Sequence, residues 1–280
     1  MAIAEALRDG FRRDPLTTAT AAFLGAVCVM AVLGPMLAVH DPYTTDAARS
    51  LRPPSWSTPC GTDQVGRDIC TRILYATRLD LFIAVSAVVI AMLVGSVLGS
   101  LAGYFGGWID RLTMWLIDTI MAFPLFVLAM GIVAALGSSM ENIIYATAIV
   151  NVPFYARTVR AEINQRREAG FVEAARIAGN GPFRVLIYHL FPTAIPQLAV
   201  QMTLTMGWAM LNAASLSFIG LGIRPPTPEW GIMVAEGASF IITGEWWVAL
   251  FPGIALVLVV LSLNLLGDGL RDMIDARERR

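Results

Sequence analysis

The sequence predicts an all-α polytopic membrane protein with six transmembrane helices. Only 15% of its 280 residues are charged, against roughly 25% in soluble domains, and the mean hydropathy is +0.66. About 20 apolar residues of helix cross a hydrocarbon core of about 30 Å. Six runs contain no Asp, Glu, Lys or Arg: 15–39, 81–109, 119–140, 142–156, 185–223 and 246–267. Five are long enough, and the fourth becomes so when Glu141 and Arg157 at its ends snorkel to the interfaces.

The first run follows a basic N-terminus, as in a signal peptide, but exceeds the usual apolar core of about 7–15 residues. We therefore predict a retained transmembrane helix over 19–39 after a cytoplasmic segment, 1–18. An external segment over 40–79, a core of five helices over 80–270 and a cytoplasmic tail over 271–280 would follow.

Arginine gives the orientation, because all twenty cations are arginine. With the N-terminus in the cytoplasm, 14 arginines lie on the cytoplasmic side and 6 outside, as the positive-inside rule requires. Both termini are then cytoplasmic. The sequence contains no lysine, so it cannot supply the lysine of a Walker A loop or a Schiff base, and any ATP would be bound by another chain.

The external segment 40–79 is rich in Pro, Gly and Thr and shows little helical period before Asp68. It carries Cys60 and Cys70, ten residues apart. An oxidising exterior permits a disulfide, but spacing does not establish its geometry, so bonded and free thiols are both open. After the fifth run, prolines at 225, 226 and 228 exclude a regular helix. A short interfacial helix is expected from Trp230 to Ile242.

Two features of the second and third runs have open interpretations. Gly95, Gly99, Gly103 and Gly107 share one helical face, which would pack either within this chain or against a partner subunit. Asp118 is either an intramembrane functional carboxylate or a group hydrogen-bonded to a neighbouring helix near the interface. Pro124 is expected to kink the third helix.

Residues 173–192, "EAARIAGNGPFRVLIYHLFP", form a polar block between two apolar runs. We predict a helix over 173–178, a glycine stop at Gly179 and Gly181, and a second helix beginning at Pro182. Such a bent pair on the cytoplasmic surface would either dock into a groove of another protein or form an ordinary solvated loop. No catalytic triad or metal-ligand spacing accompanies it, so no catalytic residue, metal, cofactor or nucleic-acid partner is expected.

The block resembles the EAA loop of permease subunits in ATP-binding-cassette importers, with Glu173, Ala174, Ala175, Gly179 and Pro192 at matching positions. His189 and Phe191 replace the isoleucine and leucine of that motif. Four further stretches are similar to the C-type permease of the dipeptide/oligopeptide/nickel family: "GTDQVGRDICTRILYATR" (61–78), "WIDRLTMWLIDTIMAFP" (108–124), "SLSFIGLGIRPPTPEWGIMVAEG" (215–237) and "GDGLRDMIDAR" (267–277).

The resemblance implies a type I importer permease fold in the bacterial inner membrane, with a coupling loop at about 160–190 and an external loop at about 220–245. It also implies these partners: a homologous B-type permease, two cytoplasmic ATPases that bind ATP and Mg²⁺, an external solute-binding protein and membrane lipid. Peptides are the expected substrates, with nickel chelates, glutathione or opine-like solutes as alternatives. An ion-coupled secondary carrier, for which Asp118 is the one candidate titratable group, is the rival outside this class.

Overall fold

The computed structural model describes residues 14–38 and 40–278, with side chains to Ile274. Over these residues the chain contains no β-strand, which confirms the all-α class. Its helices are α1 (Pro15–Leu37), α2 (Ile69–Phe105), α3 (Gly107–Met121), α4 (Leu125–Leu136), α5 (Met140–Arg166), α6 (Gly170–Ile177), α7 (Pro182–Phe218), α8 (Trp230–Ala238) and α9 (Trp247–Glu278).

Four of the described helices, α1, α2, α7 and α9, are long and apolar enough to cross a membrane, and the count is five when the bent pair of α3 and α4 is taken as one span. α5 holds the fourth uncharged run but continues through several charged residues to Arg166, which lowers its mean hydropathy. Counted with α5, the segments correspond to the six predicted. α1 begins at Pro15, four residues before the predicted start at 19, and α2 begins at Ile69, twelve residues before the run 81–109.

The third predicted span is not one kinked helix. α3 and α4 meet at 87° across residues 122–124, so the expectation of a simple kink at Pro124 was wrong. Proline disfavours helical backbone in the residue before it and has no N–H to continue the ladder, and Pro124 here caps the start of α4. α3 consequently turns an apolar face outward, with Trp108, Leu112 and Trp115 exposed.

Three glycines of α2 pack against α5 within the same chain. A Cβ on Gly99 would lie 2.3 Å from the Ala156 carbonyl oxygen, and one on Gly95 or Gly103 would lie within 2.8 Å of α5 atoms. The glycine face therefore packs within the chain at these positions. Gly107 does not belong to it, because a φ of +57° ends the register of α2 there and begins α3, with nothing within 4 Å of a Cβ.

At the end of the bundle that carries residues 40–68 and α8, called the loop end, the chain folds into a compact segment. Cys60 and Cys70 form a disulfide with a Cα–Cα distance of 5.3 Å, which ties this segment to the first turn of α2. Asp68 caps α2, accepting a hydrogen bond from the Thr71 N–H at 2.9 Å. α8 ends at Ala238, four residues before the predicted end at Ile242.

Candidate functional site: a coupling elbow, a polar cavity and a loop-end ion cluster

The predicted bend exists, and we call residues 167–192 the elbow. α6 ends in a Schellman motif, in which the Asn180 N–H donates to the Ala175 carbonyl at 3.2 Å and the Gly179 N–H to that of Arg176 at 3.0 Å. Gly179 has a φ of +84°, which L side chains rarely adopt. Gly181 has a φ of −67° and instead caps the start of α7, where Pro182 is the first residue.

The residues matched to the EAA motif fall into two groups. Glu173, Ala174 and Gly179 are exposed, whereas Ala175 is buried together with its neighbour Val172. Pro192 is exposed and lies two residues after a wider π-helical turn at Leu186–Leu190. Proline cannot donate the hydrogen bond that a regular α-helix would need at this position, and a wider turn accommodates the missing donor.

The elbow lies between α5 and α7 in the chain and contacts the end of α2. The Arg176 guanidinium lies 5.7 Å from the centroid of the Tyr104 ring at the end of α2. The rings of Phe105 and Phe183 are 5.5 Å apart. Arg166, at the end of α5, donates a hydrogen bond of 3.3 Å to the Thr193 carbonyl on α7. The two ring contacts hold the elbow against α2, and the Arg166 hydrogen bond joins α5 to α7 just outside the elbow.

The outer surface of the elbow is apolar, although residues 167–184 lie outside the apolar runs. Ile177 is 82% exposed and Tyr188 72%, and Phe171, Phe183 and Ile187 are also exposed. On segments that face water, exposed apolar surface of this kind marks interaction sites. Glu173 adds a carboxylate beside it.

Asp118 lies on α3 and pairs with Arg157 of α5, with 2.6 Å between the Asp118 Oδ1 and Arg157 Nη2 atoms. The two side chains are 61% and 48% exposed. A second bridge one turn along joins Asp110 to Arg160, including a 2.7 Å contact from Nη2 to Oδ2. Both pairs fasten α3 to α5. Among the described residues no cluster of His, Cys, Asp or Glu could hold a metal ion.

A cavity of about 260 Å³ opens between α4, α5 and α7. Its walls combine aromatic side chains such as Phe126 and Trp208 with the amides Asn151, Gln201 and Asn212. Asn151 donates to the Thr147 carbonyl at 2.7 Å and Gln201 to the Thr205 hydroxyl at 3.0 Å. Uncharged amides within long apolar helices were not singled out from the sequence, although polar residues there indicate an interior or water-facing position.

Four charged residues form a cluster at the loop end that sequence reasoning also missed. Arg67 lies 2.6 Å from Asp63 and 3.5 Å from Glu236, and Arg72 lies 3.7 Å and 3.6 Å from the same two carboxylates. Burial raises the pKa of the Glu236 carboxyl, and the two arginines only partly oppose this rise. The cluster fastens α8 to the segment before α2.

Glu229 begins α8 and accepts hydrogen bonds of 2.8 Å from the N–H groups of Gly231 and Ile232. Asp80 of α2 accepts the N–H of Trp230 at 3.1 Å. Burial raises the pKa of the Glu229 carboxyl more than these backbone donors lower it. Glutamate is not among the residue types that usually cap helices, so no standard sequence signal indicated this cap.

Two family models match parts of the chain. A family model described as the inner membrane component of binding-protein-dependent transport systems matches residues 95–280, and one for the N-terminal transmembrane domain of oligopeptide transport permease C matches residues 4–54.

Several curated proteins are similar over nearly the whole chain. The dipeptide transport system permease protein DppC of Alkalihalophilus pseudofirmus is 42% identical over 89% of this chain and 82% of its own. A probable D,D-dipeptide transport system permease protein, DdpC of Escherichia coli K12, is 39% identical over 94% and 88%. The glutathione transport system permease protein GsiD of Escherichia coli O1:K1 / APEC is 40% identical over 95% and 88%. The chain therefore belongs to the inner-membrane components of binding-protein-dependent transport systems, as a multi-pass C-type permease subunit of a type I ABC importer.

Proposed function

We propose that this chain forms half of the channel of an ATP-driven importer for dipeptides and oligopeptides, and that a separate ATPase drives it through the elbow. The observation that carries the proposal is the exposed apolar surface of the elbow beside Glu173, on a segment that contacts α2 and connects α5 to α7. Such a surface is unfavourable in water and favours burial against another protein.

Docking would use the two groups of elbow residues differently. Glu173 offers a carboxylate to cationic or amide groups of the ATPase, and the small side chain of Ala174 permits close approach. Ala175 and Val172, both buried, hold α6 against the first turns of α7. When the ATPase dimer closes, a firmly held elbow transmits the displacement to the long helices as a rigid-body rotation.

The partners follow from this arrangement. Two cytoplasmic ATPase subunits would bind ATP and Mg²⁺, a homologous B-type permease would complete the channel, and an external solute-binding protein would deliver substrate to the loop end. The 14 arginines assigned to the cytoplasmic side, against 6 outside, support an orientation with both termini in the cytoplasm of a bacterial cell.

Short peptides are the substrate class in the names of several relatives, which include dipeptide, D,D-dipeptide and di/tripeptide systems. The cavity between α4, α5 and α7 suits such cargo, because Asn151 and Gln201 offer both donors and acceptors to a peptide group and no charge. Uncharged walls favour passage over tight binding, which leaves selectivity to the solute-binding protein. Glutathione is the alternative with a specific observation behind it, the similarity to GsiD. Nickel chelates and opine-like solutes remain alternatives within the family.

Coupling is tested with Glu173→Arg and Ile177→Asp in the assembled complex, reconstituted in vesicles. Asp272→Arg is the matched control, because Asp272 is also exposed and lies near the end of α9 outside the elbow. We expect substrate-stimulated ATP hydrolysis to fall at least about tenfold in both elbow variants, as for other charges misplaced in an interface, and to persist in the control. Equal stimulation in all three variants, with normal membrane insertion, contradicts the docking role.

Substrate class is tested by uptake of a labelled dipeptide into vesicles containing the complex and its binding protein. Unlabelled dipeptide should compete and glutathione should not. Uptake of labelled glutathione without uptake of the labelled dipeptide would move the assignment to the alternative. Exchanging the binding protein should change what is transported, and an unchanged substrate range would refute selectivity outside the channel.

A further inference from the structure

A second cavity lies away from the elbow and from the polar cavity, between α1, α2, α7 and the loop after α7. It has a volume of about 650 Å³, within the range of about 300–1,000 Å³ typical of sites for bound small molecules. We call it the crevice. Met206 lines it, whereas Trp208 lines the polar cavity. Two residues correspond to about 200° around a helix, so the two cavities lie on opposite faces of α7.

The crevice has an apolar interior. Cys28 and Ala31 of α1 form one wall, and Leu79, Phe82 and Val85 of α2 form the other. Phe82 is 53% exposed and Cys28 is exposed as well. Within the hydrocarbon region such walls suit an apolar ligand. An unfilled gap between them would lose the dispersion contacts that its lining could make.

The mouth of the crevice is polar and positively charged. Arg78 and Tyr75 lie there, beside Tyr43 and Thr227 of the loop-end segments. The Tyr75 hydroxyl donates to the Pro35 carbonyl at 3.3 Å, which fixes the upper edge of the crevice between α1 and α2.

Arg78 is the charge that points to a ligand. Its side chain is exposed, no carboxylate lines the crevice, and none pairs with Arg78 among the side chains that the structure describes. Asp80, two residues on, is buried on another face, where it accepts the Trp230 N–H. Arg78 also stands just before the apolar run 81–109, at the level where arginine reaches toward lipid headgroups.

We propose that the crevice binds one anionic phospholipid, with an acyl chain between α1 and α2 and its phosphate on Arg78. The apolar depth, the cationic mouth and the interfacial level match the two ends of that molecule. The choice of membrane leaflet alone rests on the proposed function, because the mouth of the crevice faces the outer leaflet in the proposed orientation. Bound lipid would hold α1, the least buried of the four long apolar helices, against the core.

The test uses the assembled complex in nanodiscs that contain phosphatidylglycerol with a photoactivatable group in its acyl chain. Light should attach the lipid to peptides from the two crevice walls. Arg78→Gln should lower this yield about fivefold, the factor equivalent to about 1 kcal/mol for one arginine near a membrane surface. Arg224→Gln is the matched control, because Arg224 is an exposed arginine of the loop end outside the crevice, and its yield should not change.

A second variant separates the chain from the headgroup. Cys28→Phe places an aromatic ring at an exposed wall position and should abolish labelling by both phosphatidylglycerol and phosphatidylcholine probes, whereas Arg78→Gln should remove only the preference for phosphatidylglycerol. Equal yields in Arg78→Gln and the wild type overturn the proposal. So does competition by inorganic phosphate as effective as competition by lipid. Absence of labelling in the assembled complex, with labelling of the separated chain, means that a partner helix fills the crevice and also overturns it. Lipid labelling is measured without transport, so it can fail while coupling through the elbow holds.

Discussion

Adding one methyl group at Gly99 should loosen the junction between α2 and α5. A Cβ built there lies 2.3 Å from the Ala156 carbonyl oxygen and 3.0 Å from the Ala156 carbonyl carbon and Cα. Ordinary contact begins at 3.4 Å, and the obstruction is backbone rather than a side chain that could rotate away. The helices would have to separate by about 1 Å, which overpacks a close junction at a cost of about 2 kcal/mol.

Thermal unfolding of the purified complex measures this cost. For a chain of this size, about 2 kcal/mol corresponds to a fall in Tm of about 4–8 °C. Gly95→Ala and Gly103→Ala should cost less, because their nearest atoms lie at 2.6 Å and 2.8 Å. Gly131→Ala is the control, since nothing lies within 4 Å of a Cβ there. A Tm for Gly99→Ala equal to that of Gly131→Ala would refute close backbone packing as the basis of this junction.

Three further outcomes are expected. Gly179→Ala forces a φ of +84° on an L residue, and the strain of about 1 kcal/mol should weaken substrate-stimulated ATP hydrolysis. Gly181→Ala is the control and should not weaken it, because Gly181 has a φ of −67°. Equal activities of the two variants would show that the bend does not depend on Gly179. Asp110→Ala should lower Tm more than Asp118→Ala. The Asp110 side chain is 26% exposed and makes two contacts with Arg160, whereas the Asp118 side chain is 61% exposed. The reverse order of Tm values would contradict this geometry. Burial raises the pKa of the Glu236 carboxyl above its ordinary 4.5, so the native state binds more protons than the unfolded state, and the contribution of this group to stability falls as pH rises through the raised pKa. Glu236→Gln should therefore flatten the fall in Tm from pH 4.5 upward. An unchanged slope would exclude Glu236 as the source of that fall.

The elbow was predictable because its determinants are local. A glycine that must take positive φ, a proline suited to the first turn of a helix and a run of helix formers before them act within a few residues. The structure added the orientation of each side chain. That Ala175 is buried while Glu173 and Ala174 are exposed depends on how α6 packs on α7, which no local pattern specifies.

The sequence by itself determined the fold class, since charge-free runs of sufficient length must be helical in lipid, where every backbone polar group needs a partner within its own segment. It also predicted a change of helix direction at Pro124, but the 87° angle between α3 and α4 depends on what each helix packs against. Tertiary structure alone decided the partner of the glycine face, the cluster that brings Arg67 and Arg72 to Glu236, and the crevice at Arg78. These contacts join residues far apart in the chain, and their energies depend on distances and burial that exist only after the helices assemble.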